Sequence, residues 1–513
     1  MNGTVLAAHV ESFRFHDADA PALHDVTVSV PAGSLTAVLG GSGSGKSTLA
    51  RLLAAWLPGH HGGTLRGRLD LGAAAFEFSG TGDDPRIDPG AWAAHVAYVP
   101  QDAAAVLSTI KDTVAGELAF GLENQGIPPE EMRLRISETA RLTGIEGLLE
   151  RDPATLSGGE LRRVAIACAV IGRPAVLLAD EPLGSLDPEG ARAVEDLLRR
   201  LPGEGSSVVV FSSTADSLCR AASHWTVIGG GQPGGAAYDG GRQLAVGTPG
   251  ELLAGNALAR SGVVVPDIAV PEGVPAAAAA RTAVVHTAAP LLELRDVCFS
   301  YGAGTVDVLR GVDLAVRPGE VVAVTGPNGS GKSTLLRQLN GLLRPSGGEV
   351  LLRGRPTEDT AAGLLAADVG LLFQDPRFQL FERTLEREVA FGLGDCRRFG
   401  RRTRDGTARE RARAALAAVG LEGQAGGHPL ELPASARRLL ALATVIAREP
   451  AVLALDEPTV SLDRPGLDML DRAIAAATKR GAAVVMVTHE LRYAEARAHR
   501  VLRLDGGVLE AAD

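Results

Sequence analysis

Gly326-Pro-Asn-Gly-Ser-Gly-Lys332-Ser333-Thr334 follows the apolar run Val321-Val-Ala-Val324, and Gly40-Gly-Ser-Gly-Ser-Gly-Lys46-Ser47-Thr48 follows Leu35–Leu39. Each is a G-x-x-x-x-G-K-[ST] pattern between an apolar strand and a helix-forming run, the context that a phosphate loop requires. In such a loop Gly40, Gly43 and Gly45, or Gly326, Gly329 and Gly331, let backbone N–H groups turn toward a phosphate chain, and the following helix adds its positive end. Because the pattern occurs twice, the chain reads as a tandem repeat.

Working outward, the 513 residues suffice for several domains, and the repeat points to two, 1–260 and 291–513, joined by a linker over 261–290. That linker contains Val-Pro-Glu-Gly-Val-Pro and the alanines Ala276 to Ala280, and carries little charge. Strand-like runs are expected at Val10–Phe15, Leu23–Val30, Leu35–Leu39, Val96–Gln101, Val176–Glu181 and Ser207–Phe211, alternating later with helical runs such as Leu161–Ile171. Apolar rather than alternating strands in a strand–helix order favour an α/β sheet over a sandwich. Thr81–Gly90 reads as a surface loop and accounts for much of the extra length of the first copy.

A formal net charge of -10 argues against a general nucleic-acid binder, whose footprint is basic. The four cysteines, Cys168, Cys219, Cys298 and Cys396, lie far apart and form no zinc or redox pair, so they read as thiols of a reducing compartment. The N-terminus shows no export signal, and no run of about 20 apolar residues would span a membrane.

The chemistry follows from the loops. Lys46 and Lys332 are expected to reach the β- and γ-phosphates, Ser47 and Ser333 to place hydroxyls on Mg²⁺, and Asp180 and Asp456 to hold the same ion. Thr48 and Thr334 complete the loops. Glu181 and Glu457 come next in sequence, where a carboxylate can take the proton of a water attacking the γ-phosphate. Gln101 and Gln374 follow apolar strands and are candidates to touch the metal or that water; taken alone, either would be an ordinary structural side chain.

Leu156-Ser157-Gly158-Gly159-Glu160, Asp180-Glu181-Pro182 and Ser185-Leu-Asp187 resemble the signature motif, Walker B strand and D-loop of the ABC ATPase superfamily. Asp456-Glu457-Pro458, Ser461-Leu-Asp463 and His489 of the second copy resemble the same elements, His489 standing where the family has its switch histidine. The resemblance covers almost the whole chain outside the linker. It implies two P-loop ATPase domains, each with a RecA-like core, an antiparallel β subdomain and a helical subdomain, and ATP with Mg²⁺ as cofactors. It also implies head-to-tail pairing, with each ATP between the phosphate loop of one half and the signature motif of the other. Phe15 and Tyr301, each 25 residues before the first loop glycine, fall where the family stacks adenine on an aromatic ring, although a core aromatic is the alternative at each place.

The copies are unequal. The residue 32 positions after Glu457 is His489, but 32 after Glu181 is Ser213, unless Thr214 substitutes through a local shift. Where the first copy has Ser157-Gly-Gly-Glu160, the second has Pro433-Ala-Ser-Ala436. Proline removes a backbone donor, and Ala434 and Ala436 supply neither hydroxyl nor carboxylate. Under crossed pairing, the site on Lys332, Asp456, Glu457 and His489 receives the intact motif, while the site on Lys46, Asp180 and Glu181 carries both defects. One hydrolytic site and one slow or inactive site are expected.

Gln374-Asp-Pro-Arg-Phe-Gln379, and the Ala-Phe-Gly segments ending at Gly121 and Gly392, resemble the ATPase component of energy-coupling factor transporters, importers of vitamins and transition-metal ions. That resemblance implies a peripheral protein at the cytoplasmic face of the cell membrane. A transmembrane coupling (T) protein would dock near Gln101–Phe120 and Gln374–Phe391, and a small substrate-capture (S) membrane protein would complete the complex. The alternatives are an ATPase subunit of another ABC importer, for sugars or peptides, and a ribosome-associated tandem ATPase, whose relatives carry a charged helical arm that 263–290 lacks.

Overall fold

The computed structural model describes residues 3–16, 18–57, 62–230, 240–266, 288–302, 307–393 and 405–511, the last from Thr407 for its side chains. The chain divides into two compact units at 268/269, and each is built on the same plan. Most of the expected linker, with its alanine run, and Cys396 lie outside the described residues. Residues 261–264, within the stretch read as linker, lie against the first unit: Ser261 and Val263 are buried, and Val264 N–H donates to Ser213 O at 2.9 Å.

In the first unit five strands run parallel in the order Val96–Val99, Val176–Asp180, Ser207–Ser212, Leu35–Leu39, His224–Gly229. Both faces are covered, which is why these strands are apolar without alternation. Val38, Val176, Leu178, Val209 and Phe211 point to one core, and Leu35, Ala37, Leu39, Leu177, Val208 and Val210 to the other. The sheet continues through Gly241–Gly247 into an antiparallel group of Leu23–Pro31, Thr4–Phe15, Gly63–Leu71 and Ala74–Ser79. A separate helical layer of Val114–Asn124, Pro129–Thr143 and Gly158–Val170 closes over Leu118, Leu122, Ala140, Val164 and Ala167.

The second unit repeats the permutation: Val369–Leu372, Val452–Asp456, Ala483–Val487, Val321–Thr325, Arg500–Asp505, Val508–Ala511. A second antiparallel sheet holds Leu309–Val316, Leu292–Phe299, Gly347–Leu352 and Arg355–Pro356. Helices Leu385–Ala390, Asp405–Ala418 and Ala434–Ile446 form its helical layer. The α/β assignment with core, antiparallel and helical parts therefore holds in both halves. The Thr81–Gly90 loop is drawn together by Asp84, which accepts from the N–H groups of Ser79, Gly80 and Thr81, and its end, from Pro89, starts a short helix capped by Asp88.

In both units the strands end toward the phosphate loop. Parallel pairing of Asp180 with Phe211 and of Asp456 with Val487 gathers the acids, the loops and the residues after the third strand at one carboxyl edge, where open α/β sheets bind ligands.

Candidate functional site

The two loops are built alike. Gly45 and Gly331 cap their helices in the left-handed region, with φ of 86° and 99°, and helices Lys46–Leu53 and Lys332–Leu339 start at the next residue. A Cβ on Gly40 would stand 2.5 Å from Ile228 O, and one on Gly326 2.2 Å from Leu504 O, so the chain can run this close only as glycine. The lysines are buried and fold back on their own loops. Lys46 Nζ donates to Gly40 O and Gly41 O at 2.7 and 2.9 Å, and Lys332 Nζ to Gly326 O and Pro327 O at 2.8 and 2.7 Å.

Each loop lies beside its acid. Asp180 Oδ1, Asp456 Oδ1, Ser44 Oγ and Ser330 Oγ are all buried with no hydrogen-bond partner, the same four atoms in symmetric pairs. An unpaired buried oxygen is costly and rare, about 1–3 kcal/mol each. A loop of backbone donors with one carboxylate and one hydroxyl fits a magnesium nucleotide, because Mg²⁺ takes one or two carboxylates and completes its shell with phosphates and water. Among the described residues no cluster of three or more His, Cys, Asp or Glu forms an all-protein metal cage. Burial raises the Asp456 carboxyl above its ordinary range, against a hydrogen bond from Ser333 that lowers it, so the two expected cation ligands are in contact.

Glu181 and Glu457 follow in a conformation that sequence could not show: φ is 46° and 47°, left-handed at a non-glycine residue in both halves. Such a backbone costs about 1–3 kcal/mol and is held by its surroundings. Glu181 N–H donates to Phe211 O at 2.8 Å and Glu457 N–H to Val487 O at 2.9 Å. Ser185 and Ser461 of the following turns are left-handed too, at 63° and 64°.

Here the halves part. His489 Nδ1 lies 2.9 Å from Glu457 Oε2, and His489 N–H donates to the same oxygen at 3.3 Å. In the first half Ser213 N–H donates to Glu181 Oε1 at 2.7 Å, in the place of the His489 N–H. The register is unshifted, so Ser213 rather than Thr214 stands opposite the acid. Glu181 is raised by burial, with the charge of Lys46, 3.9 Å away, acting against it. Burial pulls His489 down, yet the hydrogen bond and charge of Glu457 leave it above the ordinary imidazole value. A folded value raised in this way means the pair stabilises the fold fully below about pH 6.5, and that contribution is lost as pH rises through the folded value. Glu457→Gln should therefore lower the His489 titration midpoint read by imidazole NMR; an unmoved midpoint would refute the pairing.

Gln101 and Gln374 follow strands Val96–Val99 and Val369–Leu372, which lie beside the two acid strands, as expected. What holds them there was not read from sequence. Arg162 Nη1 and Nη2 donate to Pro100 O and Gln101 O at 3.1 and 2.9 Å, and Arg438 Nη1 donates to Phe373 O and Gln374 O at 2.8 and 2.7 Å. Arg438 Nη2 also reaches Glu457 O at 2.8 Å, and burial brings this guanidinium down to about 10. Each arginine belongs to the helix that begins at the signature segment, so one side chain ties that helix to the glutamine turn. The only sequence signal was an arginine at the same place in both copies.

The signature segments differ as expected, with one addition. Ser157 caps helix Gly158–Val170: Glu160 N–H donates to Ser157 Oγ at 3.4 Å and Ser157 N–H to Glu160 Oε2 at 2.8 Å, a capping box. Pro433 begins helix Ala434–Ile446 with no side-chain cap. Ser435, the one hydroxyl left there, is buried and donates to Asp463 Oδ1 at 3.3 Å.

Tyr301 is 61% exposed beside the second loop, its hydroxyl 2.9 Å from Thr334 Oγ1 and its ring edge-on to Phe299. Phe15 stands edge-on to Phe13 at 5.0 Å. Farther out, the Gln374–Phe391 segment exposes Phe378 (80%), Phe381 (64%) and Phe391 (52%), the last two in edge contact at 4.7 Å. Buried Glu388 shapes this patch by accepting from the N–H groups of Phe381 and Glu382 at 2.7 and 2.6 Å. The matching region of the first half exposes Ile110 and sets Lys111 over the Phe120 ring.

Comparison with known proteins places this geometry. The family profile described as ABC transporter matches residues 23–184 and 309–460, more than half of the chain. An assigned ABC transporter ATP-binding protein of Methanosarcina mazei is 32% identical over 497 residues, covering 97% of this chain and 92% of that protein. A Bacillus subtilis protein assigned as the HMP/thiamine import ATP-binding protein YkoD is 28% identical, covering 96% and 88%. Among solved structures, the RNase-L inhibitor shares the fold, with a TM-score of 0.63 at 20% identity over 98% of this chain and 91% of its own.

Proposed function

The chain belongs to the ABC transporter family as a tandem, ATP-hydrolysing pair of ABC ATPase domains, and from that premise we propose that it energises an energy-coupling factor importer of a vitamin or transition-metal ion. The observation that carries this reading is the exposed aromatic patch Phe378, Phe381 and Phe391 beside the Gln374 turn. An exposed apolar surface in the segment that follows the Gln374 turn suits a helix of a membrane coupling protein. Similarity to YkoD along nearly its whole length supports import of a vitamin precursor. Among the described residues no helix is long and apolar enough to cross a membrane, so the substrate path would belong to a transmembrane coupling protein and a small substrate-capture protein.

In this proposal the halves pair head to tail within the chain at the cytoplasmic membrane face, and closure on ATP is the two-state element that moves the coupling protein. Lys332 and the Gly326–Thr334 backbone bind and orient the phosphates, Tyr301 offers its face to adenine, and Ser157–Glu160 of the other half completes the pocket. Ser333 and Asp456, with Gln374 adjoining, would hold Mg²⁺, which when bound neutralises phosphate charge. Glu457 takes the proton of the attacking water, oriented by His489. The equivalent groups on Lys46, Ser47, Asp180 and Gln101 retain nucleotide, with Phe15 at adenine, but turn it over slowly.

Purification of the tagged chain from detergent-solubilised membranes is expected to bring with it a multispan coupling protein. Replacing Phe378, Phe381 and Phe391 by Ser should release that protein while ATP binding persists. Retention by the triple variant, or recovery with ribosomal RNA instead, would overturn the assignment.

A further inference from the structure

The two metal carboxylates are supported by different neighbours. In the first half Tyr98 is in register with Leu178 of the adjoining parallel strand. Side chains alternate along a strand, so Tyr98, Leu178 and Asp180 share one face. The buried Tyr98 ring stands edge-on to Trp56 at 5.0 Å, and its hydroxyl donates to Asp180 Oδ2 at 3.2 Å. The other oxygen, Asp180 Oδ1, is the buried one without a partner.

The second half places Leu371 in the same register, opposite Ala454 and two residues short of Asp456. Leu371 packs into the apolar core and has nothing to donate. No sequence motif marks the difference, because the strand before the glutamine turn reads as apolar in both copies.

We propose that Tyr98 is a positioning residue for the first-half cation site: by holding one oxygen of Asp180 it sets the other for the divalent ion of a bound nucleotide. This rests on the reading of Asp180 as a cation ligand. A ligating carboxylate that is itself hydrogen-bonded needs less ordering on binding, and loss of such a partner typically costs about 10–100-fold in metal affinity. The half that lacks the switch histidine thus holds its carboxylate through a tyrosine, whereas the hydrogen bond to Asp456 comes from Ser333, itself an expected ligand of the same ion.

The test uses the full chain with Lys332→Ala, which confines nucleotide to the first half, and follows a fluorescent ATP analogue in EDTA and across a Mg²⁺ titration. Tyr98→Phe keeps the ring against Trp56 and is expected to raise half-saturating Mg²⁺ about tenfold, with EDTA affinity unchanged. Asp180→Asn should abolish the Mg²⁺ dependence. An unmoved Mg²⁺ midpoint in Tyr98→Phe beside an effective Asp180→Asn overturns the role of Tyr98 alone, and an ineffective Asp180→Asn overturns the cation site itself. Equal loss of binding in EDTA and in Mg²⁺ by Tyr98→Phe would make it a packing residue only.

Discussion

Glu457→Gln should lower steady-state ATP hydrolysis by the intact chain about 10²-fold or more, while Glu181→Gln leaves most of it. Glutamine has the size of the acid and keeps an oxygen for the His489 N–H, but it cannot take up a proton. The loss would therefore report chemistry rather than folding. The asymmetry has its source in what meets each acid. Glu457 is paired with His489, whereas Glu181 accepts from Ser213 N–H at 2.7 Å and Ser212 Oγ at 3.4 Å and lies near the charge of Lys46. Phosphoryl transfer depends on positioning and electrostatics, so groups of this kind are the ones whose removal is felt. Equal losses in the two variants would refute one competent and one slow site.

The second large effect is expected from a residue in the other half. Ser157→Ala should reduce hydrolysis about 10²-fold if Ser157 contacts the phosphate held by Lys332, while Ser435→Ala changes it little. Ser157 also caps its helix, worth about 1 kcal/mol, so a fall in activity alone would be ambiguous. Ser157→Asp separates the two roles: it keeps a capping oxygen and brings a negative charge toward the phosphate. Unchanged thermal stability with lost hydrolysis in Ser157→Asp supports the contact, and retained hydrolysis would remove it. Ser435 is the built-in comparison, since its hydroxyl already serves Asp463.

Much of the site could be read in advance because its chemistry is contiguous. The phosphate loop needs glycines at fixed offsets from Lys46 and Lys332, and a strand buried on both faces must be apolar up to Asp180 and Asp456. Eight or nine neighbouring residues therefore carry both the fold and the ligand class. The loss of the histidine at Ser213 was legible for the same reason, as a fixed spacing from Glu181. The left-handed backbone at Glu181 and Glu457 was not, since nothing local in a Glu-Pro pair calls for it; it is imposed where the chain leaves one strand while still bonded to the next.

The sequence by itself determined that two phosphate-loop domains stand in tandem, which acids and hydroxyls accompany each loop, and that the copies are unequal. Only the tertiary structure decided what supports them: Arg162 on Gln101 across 61 positions, Arg438 on Gln374 across 64, Ser435 on Asp463 across 28 and Tyr98 on Asp180 across 82. The physical reason is that a motif encodes groups whose spacing along the chain is set by one loop or turn. A hydrogen bond between distant strands and helices is selected by register and packing, which only the assembled sheet specifies.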